Sequence, residues 1–394
     1  MIIYLIGIGM GSLEGITCEA VEKINNCDLI IGAERMVKGF NKPKFISYKA
    51  EEIADFLRDK AYKEVCILLS GDIGFYSGAR GLYKALADYE LRCIAGISTV
   101  SYFASKLKMP WQDIKLTSLH GVENNIVGYI RDNKRVFALL NGEKSINELC
   151  AKLCRYGFGA CRIYIGERLS YPDEKISILR AEDVKAMTFE SLSAVIIENE
   201  KPLDRSLFSV ADEDFIRGSV PMTKGEVRTV SISKLQLNKA SVVYDIGAGT
   251  GSVAVECGIK AVDGRVYAVE KNPDAISLLE QNKLKFAVDN MEIIEGTAPR
   301  AIEALPVPTH VFIGGSSGNL REIINKCLEK NPKVRIVINA VSLNTVAEAS
   351  ALSEEFSVFE AVQLSLSRSE KIGSYHLMKG LNPVYIFTLQ NKGE

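Results

Sequence analysis

The sequence predicts an α/β protein, and three observations support this prediction. Short apolar segments alternate with amphipathic segments along the chain of 394 residues, which is typical of strands that alternate with helices. Some of the apolar segments run directly into turns with glycine at alternate positions, as buried parallel strands do where they lead into a helix. The length is sufficient for two or three domains, each with a hydrophobic core of its own.

The first half contains several apolar segments that we predict to be strands. Amphipathic segments between them, such as 51–60 and 78–88, have the spacing of helices. The predicted strands are 4–8, 29–31, 65–69, 91–94, 136–140, 163–167 and 194–197. Residues 198–217 are then polar and acidic, which predicts a boundary near 202–209 and hence domains 1–203 and 204–394.

The second half continues the alternation of strands and helices. Its predicted strands are 242–246, 266–270, 291–295, 310–313, 335–340, 356–365 and 384–389. The last two are predicted to pair as a hairpin, which gives a seven-stranded sheet an antiparallel edge. Thr223 and Glu226 predict a capping box, with the threonine as the N-cap of the first helix in this half.

The most informative segment of the second half lies at the end of its first predicted strand. An aspartate near the strand end precedes a turn with glycine at alternate positions, a pattern typical of the S-adenosylmethionine (SAM) loop of methyltransferases. Glycines let the backbone approach a ligand that a side chain would repel. Ser252 stands where the dinucleotide fingerprint needs its third glycine. The residues predicted to bind the cofactor are Asp245, Gly247, Ala248, Gly249, Thr250 and Gly251.

A second acidic residue stands at the end of the next predicted strand. Glu270 follows Gly251 by nineteen residues, the arrangement in which a strand-end carboxylate accepts hydrogen bonds from the ribose of an adenosine cofactor. The glycine turn and this carboxylate together predict a SAM site in the second half.

Three segments of the first half also end predicted strands with residues suited to a ligand site. Because open α/β sheets bind ligands at the carboxyl ends of neighbouring strands, these segments can meet in one site. The alternative for the first of them is an ordinary strand–helix turn without a ligand. The candidate cofactor residues in the three segments are Gly7, Gly9, Gly11, Gly71, Asp72, Phe75, Ser98 and Thr99.

These three segments resemble the tetrapyrrole (corrin and porphyrin) methylase family, in which the corresponding segments enclose SAM between two α/β lobes. The resemblance is carried by G-x-G-x-G at 7–11, S-G-D-x-G-F-Y at 70–76 and G-I-S-T-V at 96–100. Ile73 and Ala95 replace two prolines that are usual in the family. Residues 31–35 and 118–121 are similar to the branch that methylates C5 of cobalamin precursors, which implies that Arg35 and His120 contact the substrate.

The second half resembles the decarboxylating C15 methyltransferases of the same pathway. The resemblance is carried by D-I-G-A-G-T-G at 245–251, G-T-A-P at 296–299 and F-I-G-G-S at 312–316, among others. It implies a Rossmann-like, seven-stranded SAM methyltransferase fold here, beside a two-lobed tetrapyrrole methylase fold in the first half. It also implies that Thr223, Thr297 and Ala298 contact SAM.

The second resemblance further implies contacts with the substrate. Lys224 and Arg228 lie one helical turn apart and would receive acetate or propionate groups, while the alternative is a solvated helix face. Gly315 is assigned to the substrate as well. The sequence pattern assigns no residue as a general acid or base.

The two resemblances together imply a bifunctional enzyme with two SAM sites. Each half is expected to methylate one ring carbon, C5 or C15, of a precorrin or cobalt-precorrin in cobalamin biosynthesis. The second half is also expected to release the carboxyl group of the C12 acetate as CO₂. The partner is therefore a small-molecule tetrapyrrole, and a homo-oligomer is expected.

Composition narrows the possible classes of function. The 48 basic and 49 acidic residues nearly balance, and neither half is basic, which disfavours nucleic acid as a partner and RNA as a methylation substrate. No apolar run reaches the roughly 20 residues of a membrane span, so we expect a cytoplasmic protein without membrane contact. The nine scattered cysteines predict reduced thiols and no metal site. The alternative function is a SAM-dependent methyltransferase that acts on RNA or another small molecule. A nicotinamide dehydrogenase is disfavoured by Ser252 and by the spacing of both glycine turns, and a non-catalytic scaffold would not require two complete cofactor turns.

Overall fold

The computed structural model describes residues 1–119, 124–140, 142, 145–185, 187–203 and 209–391. The chain divides into two compact units. The first comprises Met1–Glu123, Asn133–Ala151 and Gly159–Glu200, and the second comprises Asn124–Asp132, Lys152–Phe158 and Lys201–Glu394. Two short segments from the first half of the sequence thus belong to the second unit.

The described residues up to Glu198 form ten strands and seven helices. The strands are β1 (Ile2–Gly7), β2 (Leu29–Gly32), β3 (Lys44–Ile46), β4 (Glu64–Leu69), β5 (Glu90–Ile94), β6 (Lys115–Ser118), β7 (Arg135–Leu139), β8 (Arg162–Glu167), β9 (Lys175–Arg180) and β10 (Ser193–Glu198). The helices are α1 (Cys18–Asn26), α2 (Glu34–Val37), α3 (Ala50–Leu57), α4 (Ala79–Ala85), α5 (Thr99–Lys106), α6 (Ile126–Asp132) and α7 (Ser145–Arg155).

The first unit contains two five-stranded sheets. One is wholly parallel with the order β3-β2-β4-β1-β5, and the other has the order β6-β7-β10-β8-β9 with a single parallel pair, β6 with β7. In β1, alternate residues pack on opposite faces, because Ile3 and Leu5 join one hydrophobic cluster while Tyr4 and Ile6 join another. Every predicted strand of this half is present. The strands that we did not predict, β3, β6 and β9, lie at sheet edges and include exposed or half-buried residues.

The described part of the second half forms nine strands and five helices. The helices are α8 (Gly225–Leu235), α9 (Ser252–Lys260), α10 (Pro273–Lys285), α11 (Leu320–Lys330) and α12 (Leu343–Ser350). The strands are β11 (Val242–Ile246), β12 (Arg265–Glu270), β13 (Met291–Glu295), β14 (His310–Ile313), β15 (Arg335–Ala340), β16 (Val358–Leu364), β17 (Ser367–Ile372), β18 (Tyr375–Gly380) and β19 (Val384–Gln390).

Seven of these strands form one sheet, as predicted. Its order is β13-β12-β11-β14-β15-β19-β16, parallel from β13 to β15 and antiparallel where β19 pairs with β15 and β16. A separate hairpin of β17 and β18 joins β16 to β19, and the sequence did not predict it. The α/β fold class is confirmed. None of the helices in the described part of the chain has both the length and the apolar character needed to cross a membrane.

The predicted capping box at the start of α8 is wrong. The N-cap is Lys224, one residue later than predicted, and it makes no side-chain capping hydrogen bond. The Glu226 carboxylate instead accepts a hydrogen bond from Nε of Arg368 at 3.1 Å. A tertiary ion pair therefore takes the glutamate that a capping box would use.

Candidate active sites

The three glycine-containing turns of the first half meet at one edge of the parallel sheet, as predicted. Strand β1 lies between β4 and β5, so the turns that follow these strands emerge side by side. The backbones of Gly9 and Gly71 exchange two hydrogen bonds of 3.1 and 2.6 Å. A Cβ on Gly7 would lie only 2.7 Å from the carbonyl oxygen of Gly71 and 2.8 Å from the nitrogen of Gly96. The turns are thus packed backbone to backbone, which requires glycine.

The polar residues of these turns hold the loops together. The two oxygens of Asp72 accept hydrogen bonds from the N–H groups of Gly74 at 2.8 Å and Gly96 at 3.1 Å. Ser98 is the N-cap of α5, and Thr99 is the first residue of that helix. The ring of Phe75 packs 5.8 Å from that of Phe137. Contacts of these residues with a cofactor remain predictions.

A cleft of about 260 Å³ lies beside these turns, lined in part by Gly9, Gly11 and Arg35. Tyr171, which follows β8 and which the sequence did not single out, lines the same cleft. A Cβ on Gly11 would lie 2.3 Å from Cζ of this tyrosine, so the ring packs directly on the glycine. The Arg35 guanidinium is 3.5 Å from the Tyr171 hydroxyl. His120, the other predicted substrate residue of this half, lies outside the described residues.

A larger cleft, of about 530 Å³, lies at the carboxyl ends of the parallel strands in the second half. It brings together most of the residues predicted for SAM and the substrate in this half. The predicted residues that line it are Thr223, Lys224, Gly247, Ala248, Gly249, Glu270, Thr297, Ala298 and Gly315. Arg228, Asp245, Thr250 and Gly251 were also predicted but do not line it. Lys271, Ser317, Asn339 and Val341 line it without having been predicted.

In the glycine turn of the second half, a side chain does not fit at Gly247 and would be crowded at Gly249. Gly247 has φ +72°, and a Cβ there would lie 2.7 Å from the carbonyl oxygen of Gly315. Gly249 has φ +57°, and a Cβ there would lie 3.2 Å from the carbonyl oxygen of Pro221. Both conformations are ones that glycine adopts readily. The turn therefore presents bare backbone to the cleft.

Glu270 is held at the end of β12 by backbone N–H groups. Its Oε2 accepts a hydrogen bond from Gly249 at 2.9 Å, and its Oε1 accepts from Lys271 at 2.8 Å and from Asn272 at 2.9 Å. The carboxylate thus links the glycine turn to the next strand. A carboxylate offers about four acceptor positions, so these three bonds leave capacity for a hydroxyl donor from the cleft.

We expect the Glu270→Ala variant to raise the Kd of one SAM site of the full chain by about tenfold or more, since hydrogen bonds to a charged acceptor are among the stronger ones. Glu270→Gln should also weaken binding, because its amide nitrogen would face a backbone N–H in either orientation. Calorimetric titration with SAM measures both. Glu295→Ala is the matched control, since Glu295 ends β13 but does not line the cleft. If both Glu270 variants bound SAM with the affinity of the parent, the proposed contact between Glu270 and the ribose would be refuted.

Asp245 is buried beneath the turn rather than exposed in the cleft. Its residue is 1% exposed, and neither carboxylate oxygen has a hydrogen-bond partner among the described residues. Burial raises the pKa of Asp245 to about 7; the nearby backbone N–H of Ala254 opposes this rise, and the charge of Glu270 adds to it. The side chain is therefore close to its titration point near neutral pH.

The raised pKa of Asp245 predicts a pH dependence of stability. The folded state binds the proton of Asp245 more tightly than the unfolded state does. The protonated carboxyl therefore contributes its full stabilisation below the ordinary pKa of 3.8, and this contribution is lost as the pH rises through about 7. We expect Asp245→Asn to remove this loss. In urea titrations, the stability of the variant relative to that of the parent should be greater at about pH 8 than at about pH 5. An equal difference at both pH values would contradict the burial of an ionisable carboxyl.

The structure corrects the assignment of Arg228 to the substrate. The residue is 0% exposed, which also rules out the alternative of a solvated helix face. Its guanidinium contacts Asp212 at 3.0 Å and Glu256 at 2.6 Å and donates to the carbonyl oxygens of Val210 and Thr223. Arg228 therefore fastens the chain before α8 to α9, and its donors are engaged within the protein.

The geometry of both clefts is that of a nucleotide-type ligand site in an open α/β sheet, with glycine turns at strand ends. Residues 2–185 match the family described as Tetrapyrrole (Corrin/Porphyrin) Methylases, and residues 214–391 match the Precorrin methyltransferase domain. The two family matches define the chain as a SAM-dependent methyltransferase.

Individual relatives agree with the two family matches. The second half is 40% identical over 183 residues to the probable cobalt-precorrin-6B C(15)-methyltransferase (decarboxylating) of Pyrobaculum calidifontis, an alignment that covers 45% of this chain and 94% of that protein. The whole chain is 26% identical over 394 residues to the precorrin-6Y C(5,15)-methyltransferase [decarboxylating] of a Sinorhizobium species, with 96% of this chain and 94% of that protein covered. The chain belongs to the decarboxylating precorrin methyltransferase family.

Proposed function

We propose that this chain methylates a precorrin or cobalt-precorrin at both C5 and C15 and removes the carboxyl group of the C12 acetate as CO₂, as part of cobalamin biosynthesis. The observation that carries the proposal is the large cleft of the second half, in which the glycine turn and Glu270 are joined by a hydrogen bond. The relative that aligns with both halves, over 96% of this chain, carries both positions in its name.

The residues of this cleft fit SAM. The left-handed conformations of Gly247 and Gly249 leave an open cradle of backbone, and the Glu270 carboxylate beside it has acceptor capacity for a ribose. Thr297 and Ala298, after β13, line the same side of the cleft and are proposed to contact the adenine. When bound, SAM supplies an electrophilic methyl group on a positively charged sulfur.

The chain's own contribution is to bind, orient and exclude water. A conjugated tetrapyrrole carries its own nucleophilic carbon, so no side chain has to act as a nucleophile, and holding the two reactants in line accounts for a large part of the rate. Lys224 lines the cleft and forms no ion pair among the described residues. We assign its ammonium group to a carboxylate of the polyanionic substrate.

We propose two SAM sites per chain, one in each of the domains 1–203 and 204–394. The second cleft is formed by residues of the second half alone, and a relative of which 94% aligns covers only that half of this chain. The smaller cleft of the first half, with Gly9, Gly11 and Arg35, is the proposed site for C5 methylation. A homo-oligomer and a cytoplasmic location remain expectations from the sequence.

Methyl transfer with labelled SAM tests the class of function. The full chain should transfer label to a precorrin substrate but not to RNA at low salt, and SAM should raise the Tm of the chain while NAD should not. Label in RNA would favour an RNA methyltransferase, and protection by NAD would favour a dehydrogenase. Absence of any methyl transfer would refute the proposal and would favour the alternative of a non-catalytic scaffold.

A further inference from the structure

The cleft of the second half has a side that the predicted cofactor residues do not occupy. Apart from Thr223, which precedes α8, those residues lie at or after the ends of β11, β12 and β13, whereas Asn339 and Val341 line the cleft from the end of β15. Strand β15 is two places from β11 in the sheet, beyond β14. A ligand that contacts Asn339 therefore lies across the cleft from the proposed ribose contact at Glu270.

The side chain of Asn339 is held at one end. The buried hydroxyl of Ser231, on α8, faces two acceptors, Asn339 Oδ1 at 2.9 Å and the carbonyl oxygen of Val227 at 2.8 Å, and its one proton is shared between them. The amide nitrogen Nδ2 makes no hydrogen bond to the described residues, although Asn339 lines the cleft. An amide fixed through its oxygen has two N–H groups left to donate.

The surroundings of Asn339 suit a large ring with acidic side chains. Lys224 lines the same cleft and supplies positive charge. Val341 also lines it and is 71% exposed, and Leu343 is 82% exposed two residues further on. Exposed apolar side chains beside donors of hydrogen bonds are the combination that binds an apolar body with polar groups at its edge.

We propose that Nδ2 of Asn339 donates a hydrogen bond to a carboxylate of the tetrapyrrole bound by the second half, and that Ser231 is the positioning residue that orients this amide. The inference rests on the proposed function, because the carboxylate belongs to the proposed substrate. Hydrogen bonds to an ionised acceptor are short and about twice as strong as neutral ones. This contact would orient the ring relative to the SAM side of the cleft.

The test compares Asn339→Asp and Asn339→Ala in the full chain. Both should raise the KM for the precorrin in the C15 methylation by about tenfold or more, and the aspartate more strongly because it sets a like charge against the carboxylate. The Kd for SAM should not change. Ser231→Ala should raise the same KM by a smaller factor and leave kcat near that of the parent, since the amide stays but loses its orientation. Gln281→Ala is the matched control, because this exposed amide on α10 does not line the cleft and, among the described residues, its hydrogen bonds go to Ser277.

C5 methylation by the same chains provides an internal check of folding and substrate quality. An unchanged KM in both Asn339 variants would overturn the inference, and so would an equal loss of SAM affinity. A lower KM in Asn339→Asp would also overturn the inference. It would mean that the side chain at this position accepts a hydrogen bond from a substrate N–H group rather than donating one to a carboxylate. If the parent chain does not methylate C15 at all, the proposed function fails, and that result is distinct from the others.

Discussion

The Gly247→Val variant should lose C15 methylation and decarboxylation while it keeps C5 methylation. A valine would hold φ near +72° only with strain, and its Cβ would overlap the carbonyl oxygen of Gly315 at 2.7 Å. Because that atom belongs to the backbone, the overlap can be relieved only by moving the turn that forms the cleft. SAM titration by calorimetry should find one site per chain in the variant and two in the parent.

Gly380→Val is the matched control for this variant. Gly380 ends β18 in the same half, and a Cβ there meets nothing within 4 Å. The control should bind two equivalents of SAM and form both products. Loss of both SAM sites in Gly247→Val, with the chain still folded by circular dichroism, would mean that the halves share one site. Retention of both would mean that the turn does not bind the cofactor.

Arg228→Met should lower the free energy of unfolding by about 3–5 kcal/mol, the usual cost of breaking a buried ion pair by removing one partner. The substitution would leave the buried Glu256 without the arginine that contacts it, whereas Asp212 would keep its contact with Arg368 at 2.9 Å. It would also remove the contact between the guanidinium and the ring of Phe215, 4.8 Å away. Urea unfolding monitored by fluorescence and circular dichroism measures the change.

Arg321→Met is the control for this second prediction. Arg321 donates two hydrogen bonds of 2.9 Å to Glu355 on the surface, and an exposed pair contributes about 1 kcal/mol or less. The two variants thus compare a buried network with an exposed pair of similar geometry. A loss in Arg228→Met no larger than that in Arg321→Met would contradict the structural role, and a selective loss of substrate affinity would restore the original assignment to the substrate.

The sequence predicted those parts of the fold that depend on local pattern. Strands β11 and β12 are continuous apolar runs, and the turn after β11 needs glycine for reasons that are visible in the turn itself. The position of Glu270 follows from the same logic, since a strand end and a turn in one βαβ unit lie close together. The exposed hairpin of β17 and β18 was missed because its residues carry no burial pattern.

Tertiary contacts decided the remaining residues of the site. Helical spacing predicts Arg228 and Lys224 equally well as substrate contacts. Arg228 is instead buried, because it forms ion pairs with Glu256 of α9 and with Asp212 before α8. Tyr171 packs on Gly11 across more than a hundred residues of sequence. The orientation of the Asn339 amide depends on its contact with Ser231, and no sequence motif links these two residues. Such pairs become visible only when distant strands are placed side by side.

The mass of the tetrapyrrole product distinguishes methylation at both C5 and C15 with loss of CO₂ from a single methylation. The full chain is incubated with the metal-free or cobalt-loaded precorrin and excess SAM. The molecular mass of the tetrapyrrole product is measured by mass spectrometry, and the released CO₂ is trapped and quantified. We expect a product with two methyl groups gained and one CO₂ lost. A product with a single methyl group and no loss of CO₂ from the intact, folded chain would contradict this expectation.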